Sequence, residues 1–411
     1  MNLSKQSKEL MLFFSKKNHL NHINMTNKTK DIIKEIYGDI LKSYNIIKKQ
    51  SPYKATIKKI TNANQITRPK IFNANSFPEQ VRKHIDETVM TEISYSFSLY
   101  EREVRVYFIV ESVDVEHELE VYNRYVETIG MWLYILNLYA SKECAKSITI
   151  YLYLTSLEKK LPTSNISVLD ENNVNTAFTT TCPRDSEIVI FRKEEWFKVL
   201  IHETFHNFGL DFSMMNNELI HNCILNIFGV NSQVNAYEAY TEFWAEIINA
   251  LFCSFFSLKN KMNYDEFLSN VEFYINFERT FSFFQLVKTL QFMGLTYKDL
   301  YSKTSQSIIN RENLYKEKSN VLSYYVLKTI MINNFQGFLD WCKRNNLSLF
   351  NFKRTIGNQK EFCKFITRNY KTKSMLDGIN EAEIFISKLN SKKVNMRYIL
   401  SNMRMSICEL G

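Results

Sequence analysis

Hydrophobic and polar positions follow two rhythms along this chain, and the change of rhythm divides it. Near the N-terminus, "TKDIIKEIYGDILKSYNIIKK" sets Ile32, Ile33, Ile36, Ile40, Leu41 and Tyr44 on one helical face. The Asn-rich stretch "TNANQITRPKIFNANSFPEQ", with two prolines, reads as a loop and linker. From residue 88 the spacing shortens to two. "TEISYSFSLYEREVRVYFIVES" alternates around a charged centre, which predicts a β-hairpin. A long apolar-faced helix follows in "ELEVYNRYVETIGMWLYILNLYASKE". The β-branched and aromatic runs "SITIYLYLTS" and "SEIVIFR" predict two more strands. Beyond residue 216 every periodic segment is helical, including "SQVNAYEAYTEFWAEIINALFCSFF" and "SNVLSYYVLKTIMINNF".

The pattern predicts an α+β fold in three parts. Residues 1–80 form a basic, mostly helical extension and linker. Residues 81–215 form an α+β subdomain with a mixed sheet, and residues 216–411 an all-helical subdomain. With only 9 Gly and 5 Pro in 411 residues, long uninterrupted elements are expected. The longest apolar runs are too short to span a bilayer, and no signal-peptide pattern opens the chain. We therefore expect an intracellular protein, in a host cytoplasm or a virion if the chain is viral. The seven cysteines are odd in number and form no C-x-x-C pair, so free thiols are expected rather than a disulfide framework or a thiolate metal site.

The net charge of +9 is uneven. Residues 1–60 hold thirteen lysines, no arginine and four acids, a surplus equal to that of the whole chain. This segment reads as a solvated lysine-rich face with, at most, a weak contact to a polyanion. It lacks the interleaved aromatics of a single-strand nucleic-acid binder.

The chemistry concentrates in "EEWFKVLIHETFHNFGLDFS". His202 and His206 are four apart and share one helix face, where two imidazoles can hold one metal ion. Glu203 lies about 100° around the helix, beside such an ion, where a carboxylate can take a proton from a metal-activated water. No charge is expected among the closest neighbours of the histidines, and Gly209 supplies a helix stop.

This H-E-x-x-H segment, with the strand "SEIVIFR" before it, resembles the motif region of the zincin metallopeptidases. The chain is similar to uncharacterised, gluzincin-like proteins of large DNA viruses. That resemblance implies one zinc ion per chain, a peptide or protein substrate, and Ser186 to Arg192 as the edge strand that binds substrate backbone. For the third ligand, the metzincin pattern would need a residue where Phe212 stands, and Asp211 falls one position short. The gluzincin pattern takes a glutamate from a later helix. "EAYTEFWAEIINALF" is similar to it and points to Glu242 as ligand, with Glu246 orienting a histidine and Glu238 in reserve. The resemblance also implies an oxyanion-stabilising group from the helical half. Tyr324 and Tyr325 are the candidates, and the sequence does not choose between them. The expected function is a zinc-dependent peptidase with Glu203 as general base. A catalytically silent, virion-associated protein on the same scaffold is the rival.

Overall fold

The structure, a computed structural model, describes residues 3–15, 22–50, 53–390 and 397–411. Helices α1 (Lys5–Ser15) and α2 (Asn27–Gln50) lead to strand β1 (Ala55–Lys59) and helix α3 (Glu79–Thr88). The hairpin β2 (Thr91–Leu99) and β3 (Arg102–Val110) follows, then α4 (Leu119–Tyr139) and β4 (Ser147–Tyr153). A short helix α5 (Glu171–Val174) precedes β5 (Ala177–Thr179), β6 (Asp185–Ile190) and the motif helix α6 (Trp196–Asn207). The rest is helical: α7 (Glu218–Ile227), α8 (Ala236–Ser257), α9 (Tyr264–Phe292), α10 (Tyr297–Tyr301) and α11 (Ser305–Leu314). A π-helical segment, Leu322–Leu327, then runs straight into α12 (Lys328–Asn333). The remaining helices are α13 (Phe335–Asn345), α14 (Ile356–Asn369), α15 (Lys373–Asn390) and α16 (Arg397–Ser401).

The six strands form one mixed sheet in the order β1-β2-β3-β4-β6-β5. β1, β2 and β3 pair antiparallel, β3, β4 and β6 pair parallel, and β5 runs antiparallel to β6. The parallel step from β3 to β4 needs a crossover, and α4 supplies it. β4 shows how alternation sorts the faces. Ile148, Ile150 and Leu152 enter the main core, while Tyr151 and Tyr153 enter a smaller one with Phe77, Val81 and Ile85. Two strands escaped the sequence pattern. β1 lies inside the segment expected to be extension and linker, and α2, just before it, buries Ile33, Ile36 and Ile40 in the main core. The basic N-terminal segment is therefore part of the body, although Lys16 and Lys17 lie outside the described residues.

The cysteine expectation is corrected. Cys144 and Cys182 form a disulfide with a Cα–Cα separation of 4.6 Å. An odd total and wide spacing cannot reveal a pair that meets only when β4, β5 and β6 assemble. The bridge sits at the end of the motif helix: the Cys182 amide donates to the His206 carbonyl at 3.2 Å. Gly209, at φ +63°, leaves room there, because a Cβ would lie 3.3 Å from that of Cys182.

Residues 402–410 thread back beneath the start of α6. The amides of Met405 and Ser406 donate to the Glu195 carboxylate, and those of Ile407 and Cys408 to Glu278. Glu195 starts the motif helix from a left-handed conformation, φ +59°, and its buried carboxylate also pairs with Lys159. No described helix is long and apolar enough to cross a membrane.

Candidate metal centre

Helix α6 is buried along its whole length, which explains its lack of an amphipathic stripe. Trp132 of α4 fixes its rotation from behind. The indole N–H donates to Thr204 Oγ1 at 2.8 Å, and the ring stacks on Phe205. His202, Glu203 and His206 are thereby turned toward a cavity of about 220 Å³. β5 forms one wall of it, through Ala177, Phe178 and Thr179, and α8 and Tyr324 form another.

Within this cavity the two imidazole Nε2 atoms are 3.2 Å apart. Glu238 of α8 places Oε2 at 3.1 Å from His202 Nε2 and 3.5 Å from His206 Nε2. One ligand atom from each of the three residues lies within 4.8 Å of the others, an arrangement that could hold a metal ion. The donor set, two imidazole nitrogens and one carboxylate oxygen, suits a borderline divalent ion.

The other ring nitrogens are held by carboxylates. His202 Nδ1 is 2.9 Å from Glu242 Oε2, and His206 Nδ1 bonds to Asp211. Asp211 is fixed in turn by the Ser213 amide and hydroxyl. Such partners set the tautomer and direct Nε2 toward the shared point.

Geometry therefore redistributes the glutamates. Glu242, expected as third ligand, does not converge with the two Nε2 atoms; its second oxygen pairs with Lys198 Nζ at 2.6 Å. Glu238, held in reserve, takes the converging position one helical turn earlier. Glu246 orients no histidine and pairs with Lys328 at 2.5 Å. Asp211 stands behind His206 rather than in line with the converging atoms. Between the tyrosines the structure separates clearly. Tyr324 donates to Glu238 Oε2 at 2.9 Å, whereas Tyr325 donates to the Met403 carbonyl, away from the cavity. The π-helical backbone at this point is a feature often found at functional sites.

Lys198 was missed. It lies one turn before His202, so the expectation of uncharged neighbours was wrong, and the i,i+4 spacing was the available signal. The expected edge strand is also corrected. β6 is interior, paired with β4 and β5, and β5 forms the edge beside the cavity.

Electrostatics reflect crowded ionisable groups. Burial alone would raise the Glu238 carboxyl, but His206 and His202 outweigh it and hold it well below the ordinary range. His206 shows the converse: burial would lower it, yet Asp211 and Glu238 push it well above its usual value. Glu203 is different. Burial raises its carboxyl despite both histidines, and among the described residues it has no hydrogen-bond partner.

These features define a buried two-histidine, one-glutamate centre on an α+β scaffold, with a free carboxyl beside it. The chain is similar to an uncharacterised protein of Acanthamoeba polyphaga mimivirus, 26% identical over 187 residues. The match spans 44% of this chain and 46% of the relative, so the chain covers about half of that protein's length. This relates the chain distantly to a viral protein. No protein-family model and no solved structure matches it.

Proposed function

We propose that this protein is a zinc-dependent hydrolase, a gluzincin-like peptidase whose ligands are His202, His206 and Glu238. One observation carries the reading: Nε2 of His202, Nε2 of His206 and Oε2 of Glu238 converge beside the unpaired Glu203 carboxyl. Zinc, when bound there, supplies Lewis acidity that polarises a carbonyl and makes water a better nucleophile. The chain's own groups do the rest. Glu203, whose carboxyl burial raises above its ordinary value, accepts the proton of the attacking water and delivers it to the leaving amine. The Tyr324 hydroxyl is the side-chain donor that can turn from Glu238 to the developing oxyanion. Glu242 and Asp211 keep both imidazoles oriented. The free edge of β5 offers main-chain groups to an extended peptide, which would add a strand to the sheet.

The deciding experiment is metal analysis with peptide-library cleavage, on wild type and Glu203→Gln. One zinc per chain and cleavage that disappears in the variant are expected. Metal retained without any cleavage would instead favour the silent, structural alternative.

A further inference from the structure

Two lysines border the cavity, and their surroundings differ. Lys198 is committed to Glu242. Lys159 is 1% exposed, and the only polar partner of its ammonium among the described residues is the Glu195 carboxylate. That carboxylate is already shared with the Met405 and Ser406 amides. An ammonium has three donors, and two here have no acceptor among the described residues. Lys328, equally buried but not among the residues that line the cavity, shows what full satisfaction looks like. Its three acceptors are Glu246, Ser282 Oγ and the Met405 carbonyl. Burial pushes the Lys159 ammonium below its ordinary value; Glu195 opposes this, while nearby Lys198 adds to it. A second unfilled group borders the same cavity: Thr176 Oγ1, on a residue 4% exposed, has no hydrogen-bond partner.

We propose that Lys159 is a specificity residue, and that the cavity takes an acidic substrate side chain, Asp or Glu, next to the scissile bond. This inference rests on the peptidase reading. The substrate carboxylate supplies acceptors for the idle ammonium donors and for the Thr176 hydroxyl. A neutral amide in the same place supplies an acceptor but not the charge, so discrimination between Glu and Gln is the signature.

The test uses the full, zinc-loaded chain carrying Glu203→Gln, so that binding is read without turnover. Matched peptides differing only by Glu or Gln are titrated by calorimetry. The Glu peptide should bind about tenfold more tightly, as expected for one charge-assisted contact. Adding Lys159→Gln should erase the difference, and adding Lys159→Arg should retain most of it. Zinc content and circular dichroism show that each variant is folded. Equal binding of the two peptides, or a preference that survives Lys159→Gln, overturns the inference. Cleavage by the otherwise wild-type chain is followed in parallel. Lys159-dependent binding with no cleavage leaves acid recognition standing and defeats only the peptidase reading.

Discussion

Helix α8 carries a row of three glutamates at four-residue intervals, and the two ends of the row are treated differently. At one end Glu246 meets Lys328, a cation built into the chain. In the middle Glu242 meets Lys198. At the other end Glu238 meets two imidazoles and a tyrosine hydroxyl, with no permanent cation. Glu242 and Glu246 are fully buried, where an uncompensated charge costs several kcal/mol, while Glu238 stands at the cavity wall with its side chain 12% exposed. The fold supplies a lysine for two of these three acids, Lys198 from α6 and Lys328 from α12, and sets histidines around the third, an arrangement that could hold a metal ion.

The contrast can be broken most severely at the converging atoms. His202→Ala, His206→Ala or Glu238→Ala should each abolish stoichiometric zinc, because each removes one of three protein ligands. Zinc titrated against a competing chelator reads this directly. Full zinc in Glu238→Ala, with loss in Glu242→Ala, would reverse the assignment made from geometry. Next in size is Glu203→Gln. It should retain zinc and slow hydrolysis by about 10²–10⁴-fold, the usual contribution of a general base. At the Glu246 end of the row the effect should be on stability alone. Lys328→Met strands the buried Glu246 carboxylate and should cost about 3–5 kcal/mol in denaturant unfolding, with zinc stoichiometry unchanged. Glu242→Gln should fall between the two ends, weakening zinc about 10–100-fold through a misdirected His202.

The smallest effect is one of slope. In the metal-free chain the His206 pKa lies well above its ordinary 6.5, so this pairing stabilises fully below pH 6.5 and is lost as pH rises through the folded value. Zinc needs neutral imidazoles, so its affinity should rise across the same interval. Melting with and without chelator should show the two trends in opposite directions; parallel trends would separate His206 from the metal.

Much of this was legible in the residues, and the rest was hidden for definite reasons. The hairpin β2–β3, strands β4 and β6, α4 and the long C-terminal helices carry strong periodicity, and the structure has them. β5 is three residues long and β1 is lysine-rich, so neither carries a hydrophobic alternation. The pair His202 and His206 was visible because its geometry is local to one helix. The partner glutamate was ambiguous because Glu238, Glu242 and Glu246 share a face, and only the docking of α8 on α6 sets the register. Lys198 went unnoticed, because the closest neighbours of the histidines were expected to carry no charge. Its role depends on Glu242, forty-four residues away. The disulfide was invisible for the same reason, its two halves being 38 positions apart.

The π-helical segment carries a consequence for how this chain can change over generations. A π turn holds more residues than an α turn, so Leu322–Leu327 behaves as an insertion that packing has accommodated. Deleting one residue there would let the backbone relax to an ordinary helix, turning the preceding residues by about 100° relative to α12. Tyr324 would then leave Glu238 although no residue at the centre had been replaced. Drift by substitution leaves that register intact, whereas the loss of a single codon would shift it.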